Sequence, residues 1–399
     1  MPHLEDYRTI VGDRVITDIF RESRGLYGTQ LLHVNSTYQG GGVAEILGRL
    51  VPLMNDLGIE ADWRILHGSH DFFTITKKFH NALQGEEINF SELKKSAYTD
   101  TNSQFSTYSQ VDHDAVIVHD PQPLPLVRYF RKREPWIWRC HLDLSTPNPE
   151  VWDYFKGFLI RYDKVVFSSE KFAHSELTVD SDIIYPSIDP LTVKNQDISE
   201  ETIDRYLAKY DIPDDKPLIS QISRFDKWKD PEGVIDVFDK VKENVDSRLV
   251  LLGSMALDDP EGARVHESLV ERVSGREDII IINKESDILV NALQRASSVV
   301  IQKSLREGFG LTVTEALWKG APVVASDVGG ISLQITDGET GFLVDPEDYD
   351  QVADRIVRIL ENPELGAELG GSAHKEVKEH YLITSQLLRW LEVLKKSLS

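Results

Sequence analysis

A single cysteine, Cys140, stands in 399 residues. That excludes an intrachain disulfide and any cysteine-built zinc cage. Long apolar runs are also missing: none approaches the roughly 18 residues that read as a membrane-crossing helix. Residues 1–13 are polar and charged, without the apolar stretch of a secretory leader, so the cytoplasm is the expected compartment. Positive charge is scarce, with 44 Lys and Arg against 66 Asp and Glu and a net charge of −22. A surface of that sign repels nucleic acids and anionic membranes, and neither is expected as a partner. A phosphate-bearing ligand therefore needs its own local basic pocket. With 41% hydrophobic and 28% charged residues the composition is that of a folded protein. The length suits two domains of roughly 150–200 residues.

What the chain does contain is a repeated alternation of short β-branched runs with longer amphipathic ones, the pattern of βα units on parallel sheets. Strands are expected at 31–35, 60–66, 115–119, 136–141, 165–168 and 183–185, with helices at 43–57, 123–130 and 151–162. Pro186 to Pro190, with two prolines and no periodicity, reads as a linker. After it the pattern restarts, with strands at 218–223, 248–252, 278–282, 299–302, 322–325 and 341–344. Helices are expected at 231–244, 263–273, 287–296, 311–319 and 349–360. The expected fold is α/β, two doubly wound Rossmann-like lobes with a ligand cleft between them at the strands' carboxyl ends. Residues 1–186 form the first lobe, 187–371 the second, and 372–399 a closing helix packed back across the hinge. The polar stretch 71–114 reads as an insertion outside the core.

Three loops follow predicted strands, where such a lobe binds its ligand. Thr37 to Gly42 carries three glycines, Gly40, Gly41 and Gly42, before a helix start. Their amides and the helix dipole suit an anion, although a tight turn with no ligand has the same sequence. In the second loop Arg224 and Lys229 flank one turn, so both cations reach one pyrophosphate without a metal. Alone, that run is equally a solvated charged loop. The third loop places Glu307 among glycines and Glu315 about one turn into the following helix. The amides of Gly308 to Leu311 suit hydroxyls or phosphate, and two carboxylates suit vicinal hydroxyls. Two acids also serve a hydrolase or cap a helix.

Arg224 and Lys229, followed about eighty residues later by a Glu, seven residues, Glu element, resemble the donor site of the retaining GT-B glycosyltransferases. The resemblance implies that Arg224 and Lys229 neutralise a leaving diphosphate. It implies that Glu307 holds the donor sugar with Gly308, Phe309, Gly310, Leu311 and Thr312, and that Glu315 binds the ribose. Gly41 and Gly42 join the donor-binding set through their turn. First-lobe stretches at 33–37 (His-Val-Asn-Ser-Thr), 40–45, 78–85, 119–123 and 138–143 (Trp-Arg-Cys-His-Leu-Asp) resemble the trehalose-forming branch, synthases and phosphorylases together. His141 there matches the histidine that touches the donor sugar. Asp120, Gln122, Arg139 and Asp143 are polar groups on the same strand ends and are the acceptor-side candidates, with Lys78, His80 and Asn81 behind them. The basic run 131–133 reads as a helix end complementing the macrodipole rather than as a phosphate reader.

The acidic pairs Asp112/Asp114 and Asp180/Asp182 have metal-ligand spacing but lie outside any glycine-rich loop, and no metal is expected. No cofactor is expected either. The implied reaction moves glucose from a nucleoside diphosphate glucose, UDP-glucose or ADP-glucose, to free glucose with retention, giving trehalose. The rivals are a phosphorylase using glucose 1-phosphate, another retaining transferase with a different acceptor, and a silent sugar-binding regulator on the same fold. Dimers are common among soluble enzymes, so a homodimer is the one assembly expected.

Overall fold

The structure, a computed structural model, describes residues 3–38, 41–174, 176–253 and 260–399. The chain divides into two compact units. One comprises Met1–Ser187 with Ile383–Ser399, the other Ile188–Leu382.

The first unit holds a six-stranded sheet: β1 (Gln30–Asn35), β2 (Glu60–Ile65), β3 (Ala115–His119), β4 (Trp136–Arg139), β5 (Lys164–Phe167) and β6 (Asp180–Ile183), in the order β2-β1-β3-β4-β5-β6. The second holds β7 (Leu218–Ile222), β8 (Arg248–Gly253), β9 (Ile279–Asn283), β10 (Val299–Gln302), β11 (Val323–Ser326) and β12 (Phe342–Val344), in the order β12-β11-β10-β7-β8-β9. Every pairing is parallel. Strands such as β3, β7 and β8 are buried along their whole length, as sheets covered on both faces require. In each sheet the order reverses once, between β1 and β3 and between β7 and β10. Loops leaving the carboxyl ends of those strands are where this architecture places ligands.

Local chemistry explains most of the element boundaries. The helix Gly42–Asp56 buries Ile46, Leu47, Leu50, Leu53 and Met54 on one face and stops before Gly58, whose φ is 75°. Asn148, Ser199, Asp230, Ser286 and Asp348 each cap a helix with a side-chain oxygen.

Four expectations need correction. Residues 71–114 are not an insertion outside the core. They form the helices His70–Leu83 and Glu92–Tyr108, whose Phe72, Phe79, Leu83, Tyr98 and Phe105 join the main hydrophobic cluster. Their apolar groups recur at helical spacing among polar neighbours, so mean polarity hid the stripe. The strand expected at 136–141 stops at Arg139, because the amide of His141 leaves the ladder to donate to Asp120 Oδ1 at 2.9 Å. The sixth strand lies at Asp180–Ile183, where Asp180 and Asp182 both pair with Lys164, and that charge obscured its strand character. The closing segment is two helices, Pro363–His380 in the second unit and Ile383–Leu398 in the first, broken at Tyr381 and Leu382. There Ile188 donates its amide to the Tyr381 carbonyl at 2.9 Å.

Candidate active site

In the second unit, the chain after β7 and the chain after β10 leave neighbouring strands at the point of order reversal. Asp226 organises the first of these loops. It is buried, and its Oδ1 accepts the amides of Trp228 (2.9 Å) and Lys229 (3.2 Å), closing a short 3-10 turn. Its other oxygen lies 3.2 Å from Arg224 Nη2. Arg224 itself is 57% exposed. Lys229 points inward and pairs with the Glu307 carboxylate, both groups being about 15% exposed or less. The sequence-predicted cation and the sequence-predicted acid are thus brought into direct contact from 78 residues apart.

Two residues that sequence reasoning passed over hold this loop. Asp230 adopts a left-handed conformation (φ 43°) and caps the helix Pro231–Lys242 through the Gly233 amide at 3.1 Å. Its second oxygen pairs with Lys303, whose side chain is fully buried and whose Nζ sits 4.1 Å above the Tyr349 ring. Lys303 donates its amide to Gln221 Oε1 (3.1 Å), and Gln221 Nε2 reaches the Lys229 carbonyl at 2.9 Å. A lysine closely following the apolar run 299–301, and an Asp-Pro at a helix start, were the available signals.

The glycine-rich segment after β10 is fixed from behind. Gly308 accepts the Gly330 amide at 3.0 Å. Gln334 donates to the Phe309 carbonyl at 2.5 Å, and its oxygen accepts from Thr314 Oγ1 at 2.6 Å. Gly310, with φ 84°, turns the chain into the helix Leu311–Trp318, whose first amides have no partner within the helix. Leu311 and Thr312 lie half-buried at that start. Glu315 is buried, with a carboxylate oxygen 3.5 Å from Lys194 Nζ. Beside these loops opens a pocket of about 610 Å³ lined by Trp228, Leu305, Arg306, Asp327, Val328, Asp345, Pro346 and Glu347. Another, of about 410 Å³, lies at the amino ends of β7 and β10, the edge opposite the ligand-binding one.

In the first unit, Gln39 and Gly40 of the glycine turn lie outside the described residues, while Gly41 and Gly42 are exposed at the start of the helix Gly42–Asp56. His119 ends β3 and is buried, and His141 is half-buried just beyond β4. Their rings bond through His119 Nδ1 and His141 Nε2 at 3.2 Å. Burial, followed by the neighbouring Arg139, holds the His141 pKa well below the usual imidazole value. Asp120 takes a left-handed conformation (φ 63°), and burial pushes its carboxyl up to about 6. Gln122 is half-buried with its side-chain oxygen unpartnered among the described residues. Asp143 caps its own turn through the Ser145 amide at 2.8 Å.

Arg139 is placed differently from the acceptor-side expectation. It is fully buried, and its guanidinium bonds the Ile184 carbonyl (2.7 Å), Ser168 Oγ (3.1 Å) and the Val166 carbonyl (3.3 Å). As placed it ties β4 to β5 and the segment after β6 and presents no group to a ligand. Lys78 is exposed and Asn81 bonds Glu86, both on the helix His70–Leu83. The basic run 131–133 follows a short 3-10 turn rather than a long helix, and Lys132 pairs with Asp163 at 2.7 Å. Asp180 and Asp182 are engaged by Lys164, and Asp114 accepts the Gln30 amide. Among the described residues no group of three or more His, Cys, Asp or Glu is placed to hold a metal ion.

With this geometry in hand, known proteins resolve the family. The family profile of the trehalose synthase N-terminal domain matches residues 33–174, and that of the group 1 glycosyl transferases matches residues 202–376. A trehalose synthase of Thermococcus litoralis is 45% identical over 98% of this chain and 96% of its own. The chain belongs to the trehalose synthase family. It is a glycosyltransferase. A trehalose phosphorylase of Pleurotus pulmonarius is 26% identical, and this trehalose synthase family chain spans 60% of its length. The fold matches the solved alpha,alpha-trehalose 6-phosphate synthase from Burkholderia multivorans with a TM-score of 0.73 at 17% identity, covering 93% of this chain and all of that one. The GT-B architecture expected from the sequence is therefore the fold of this family member. Among the described residues no helix is long and apolar enough to cross a membrane.

Proposed function

We propose that the chain transfers glucose from a nucleoside diphosphate glucose to the anomeric hydroxyl of free glucose, forming trehalose and a nucleoside diphosphate. The configuration at the donor carbon is retained, and neither a metal ion nor another cofactor takes part. The observation that carries this reading is the contact between Lys229 and Glu307 at the ligand edge of the second unit, with Arg224 exposed on the same turn. An arriving diphosphate competes with Glu307 for the Lys229 ammonium, and the displaced carboxylate becomes available to sugar hydroxyls. Arg224 adds a second cation, and two fixed cations supply the charge that a divalent ion supplies elsewhere.

In the transfer the bond from the sugar's anomeric carbon to the phosphate oxygen breaks, and a bond to the acceptor oxygen forms on the same face. The acceptor's proton passes to the leaving phosphate. Charge grows on the diphosphate as the bond opens, and Lys229 and Arg224 stabilise it where it develops. Glu315 serves the ribose, and Asp120, Gln122 and Asp143 with His141 serve the sugars. Arg139 is left out of the acceptor set, because its guanidinium is committed to β5 and the segment after β6. Identity favours the synthase over the phosphorylase reading, at 45% to the Thermococcus litoralis synthase against 26% to the Pleurotus pulmonarius phosphorylase.

The test is product analysis with free glucose and either UDP-glucose, ADP-glucose or glucose 1-phosphate, each with chelator present. Trehalose with release of a nucleoside diphosphate supports the proposal. Trehalose from glucose 1-phosphate alone, with release of phosphate, overturns it in favour of a phosphorylase. A transfer that chelator abolishes overturns the metal-free part.

A further inference from the structure

Three adjacent parallel strands of the first unit carry histidines in a staircase. His33 lies within β1 opposite Ile117 of β3, and His119, two residues on, therefore shares its face. His119 lies opposite Arg139 of β4, and His141 follows two residues later. The rings are nearly parallel, with centroids 5.3 Å apart for the first pair and 5.5 Å for the second. They bond nitrogen to nitrogen, His33 Nδ1 to His119 Nε2 at 3.0 Å and His119 Nδ1 to His141 Nε2 at 3.2 Å. At the inner end, His33 Nε2 finds no hydrogen-bond partner among the described residues, and the Trp390 ring stands edge-on 6.3 Å away.

A neutral imidazole carries one N–H and one lone pair. Each nitrogen-to-nitrogen contact needs one of each. Only two assignments satisfy both contacts. Either all three rings carry the proton on Nδ1, or all three carry it on Nε2. No ring changes tautomer alone without placing two protons or two lone pairs against each other. A proton entering at His141 also has no hydrogen-bonded exit at His33, so the array orients rather than conducts.

We propose that His33 and His119 are positioning residues that hold His141 in one ring orientation and one tautomer, the three imidazoles acting as a single unit closed at its inner end. The proposal rests on the reading that His141 meets the donor sugar. There the fixed tautomer decides whether its outward nitrogen donates a hydrogen bond to a hydroxyl or accepts one. Burial supports the neutral state, since desolvation lowers the pKa of all three rings.

The test is long-range nitrogen-15 NMR of histidine-labelled protein. In the unaltered protein the three linked rings should show one and the same tautomer. Two different tautomers among them overturn the proposal without any variant having to fold. In His119→Phe, which keeps an aromatic ring but breaks both contacts, His141 should shift to averaged tautomers. Turnover there should fall about 10- to 100-fold, as for a slightly misplaced group, with KM little changed. An unchanged His141 spectrum in that variant overturns the proposal. His141→Ala separates the two layers: full turnover in it removes His141 from the reaction while leaving the tautomer result standing.

Discussion

Lys229 and Glu307 pair in a partly buried contact, and under the proposed function the diphosphate takes the place of the carboxylate beside Lys229. Lys229→Ala should therefore leave the circular dichroism spectrum intact and lower kcat by about 10²–10³-fold, the scale of losing one stabilising donor at a developing charge. Steady-state kinetics with the nucleotide-sugar donor check this, and turnover within a few-fold of the parent removes Lys229 from the mechanism. The buried histidines make a second, thermodynamic prediction. Burial lowers His33 from 6.5 to about 3, and His119 and His141 well below 6.5. Below pH 6.5 the unfolded chain takes up protons that the folded one refuses, so stability that is full above that pH is lost on acidification. Asp120 acts in the opposite sense. Its carboxyl, raised from 3.8 to about 6, keeps a proton in the folded state that the unfolded chain releases, so its contribution is lost as pH rises through 6. Near pH 5 three imidazoles outweigh one carboxyl, and the first unit should weaken as the pH falls from 6.5 to 4.5. His33→Phe should flatten that slope, since one group that takes up a proton only in the unfolded chain is removed. Hydrogen exchange of the β1 and β3 amides across that range measures it, and an equal slope in both proteins contradicts the assignment.

At the scale of elements, the segment carrying Glu307 is held by its neighbours more than by its own sequence. Gly330 approaches so closely that a Cβ there would lie 2.6 Å from the Gly308 carbonyl oxygen and 2.6 Å from Phe309 Cα. Both are backbone atoms and have no rotamer to escape into. Gly330→Ala should displace the segment by the order of an ångström and lower turnover by about 100-fold. The stability loss should stay within about 1–3 kcal/mol, as for ordinary overpacking. Paired kinetics and denaturant unfolding distinguish this from global damage, in which the stability loss would go well beyond that range. Sequence alone exposed the glycines of this segment and its two acids. Gly330 and Gln334 act from a later loop, and nothing local marks them as its supports. Similarly, the spacing of Asp180 and Asp182 is visible in the sequence, but their partner Lys164 is brought beside them only by the pairing of β5 with β6.

Across the molecule, the chain leaves the first unit at Ser187 and rejoins it at Ile383. The helix Ile383–Leu398 buries Leu387, Trp390, Leu391 and Leu394 against helices of the first unit, Asp13–Ser23 and Gly42–Asp56. Trp390→Ala should destabilise by about 3–5 kcal/mol, the usual cost of emptying a buried indole site. The loss should fall on protection of β1 and β3 and leave β7 and β10 unchanged in hydrogen exchange. Equal loss in both sheets contradicts the division.

Alternation of apolar runs determined the number of strands and the α/β class, because burial on two faces leaves a short-range imprint that survives in one dimension. So did the strand-end placement of Arg224, Lys229, Glu307 and His141, since a loop follows its strand in sequence as in space. Tertiary structure alone decided which groups meet. The pairing of Lys229 with Glu307, the burial of Lys303 on Asp230, the enclosure of Arg139 and the joining of His33, His119 and His141 all depend on which strands become neighbours. Strand order is set by packing whole layers, and a contact across 78 or 86 residues leaves no local trace in the residues that make it.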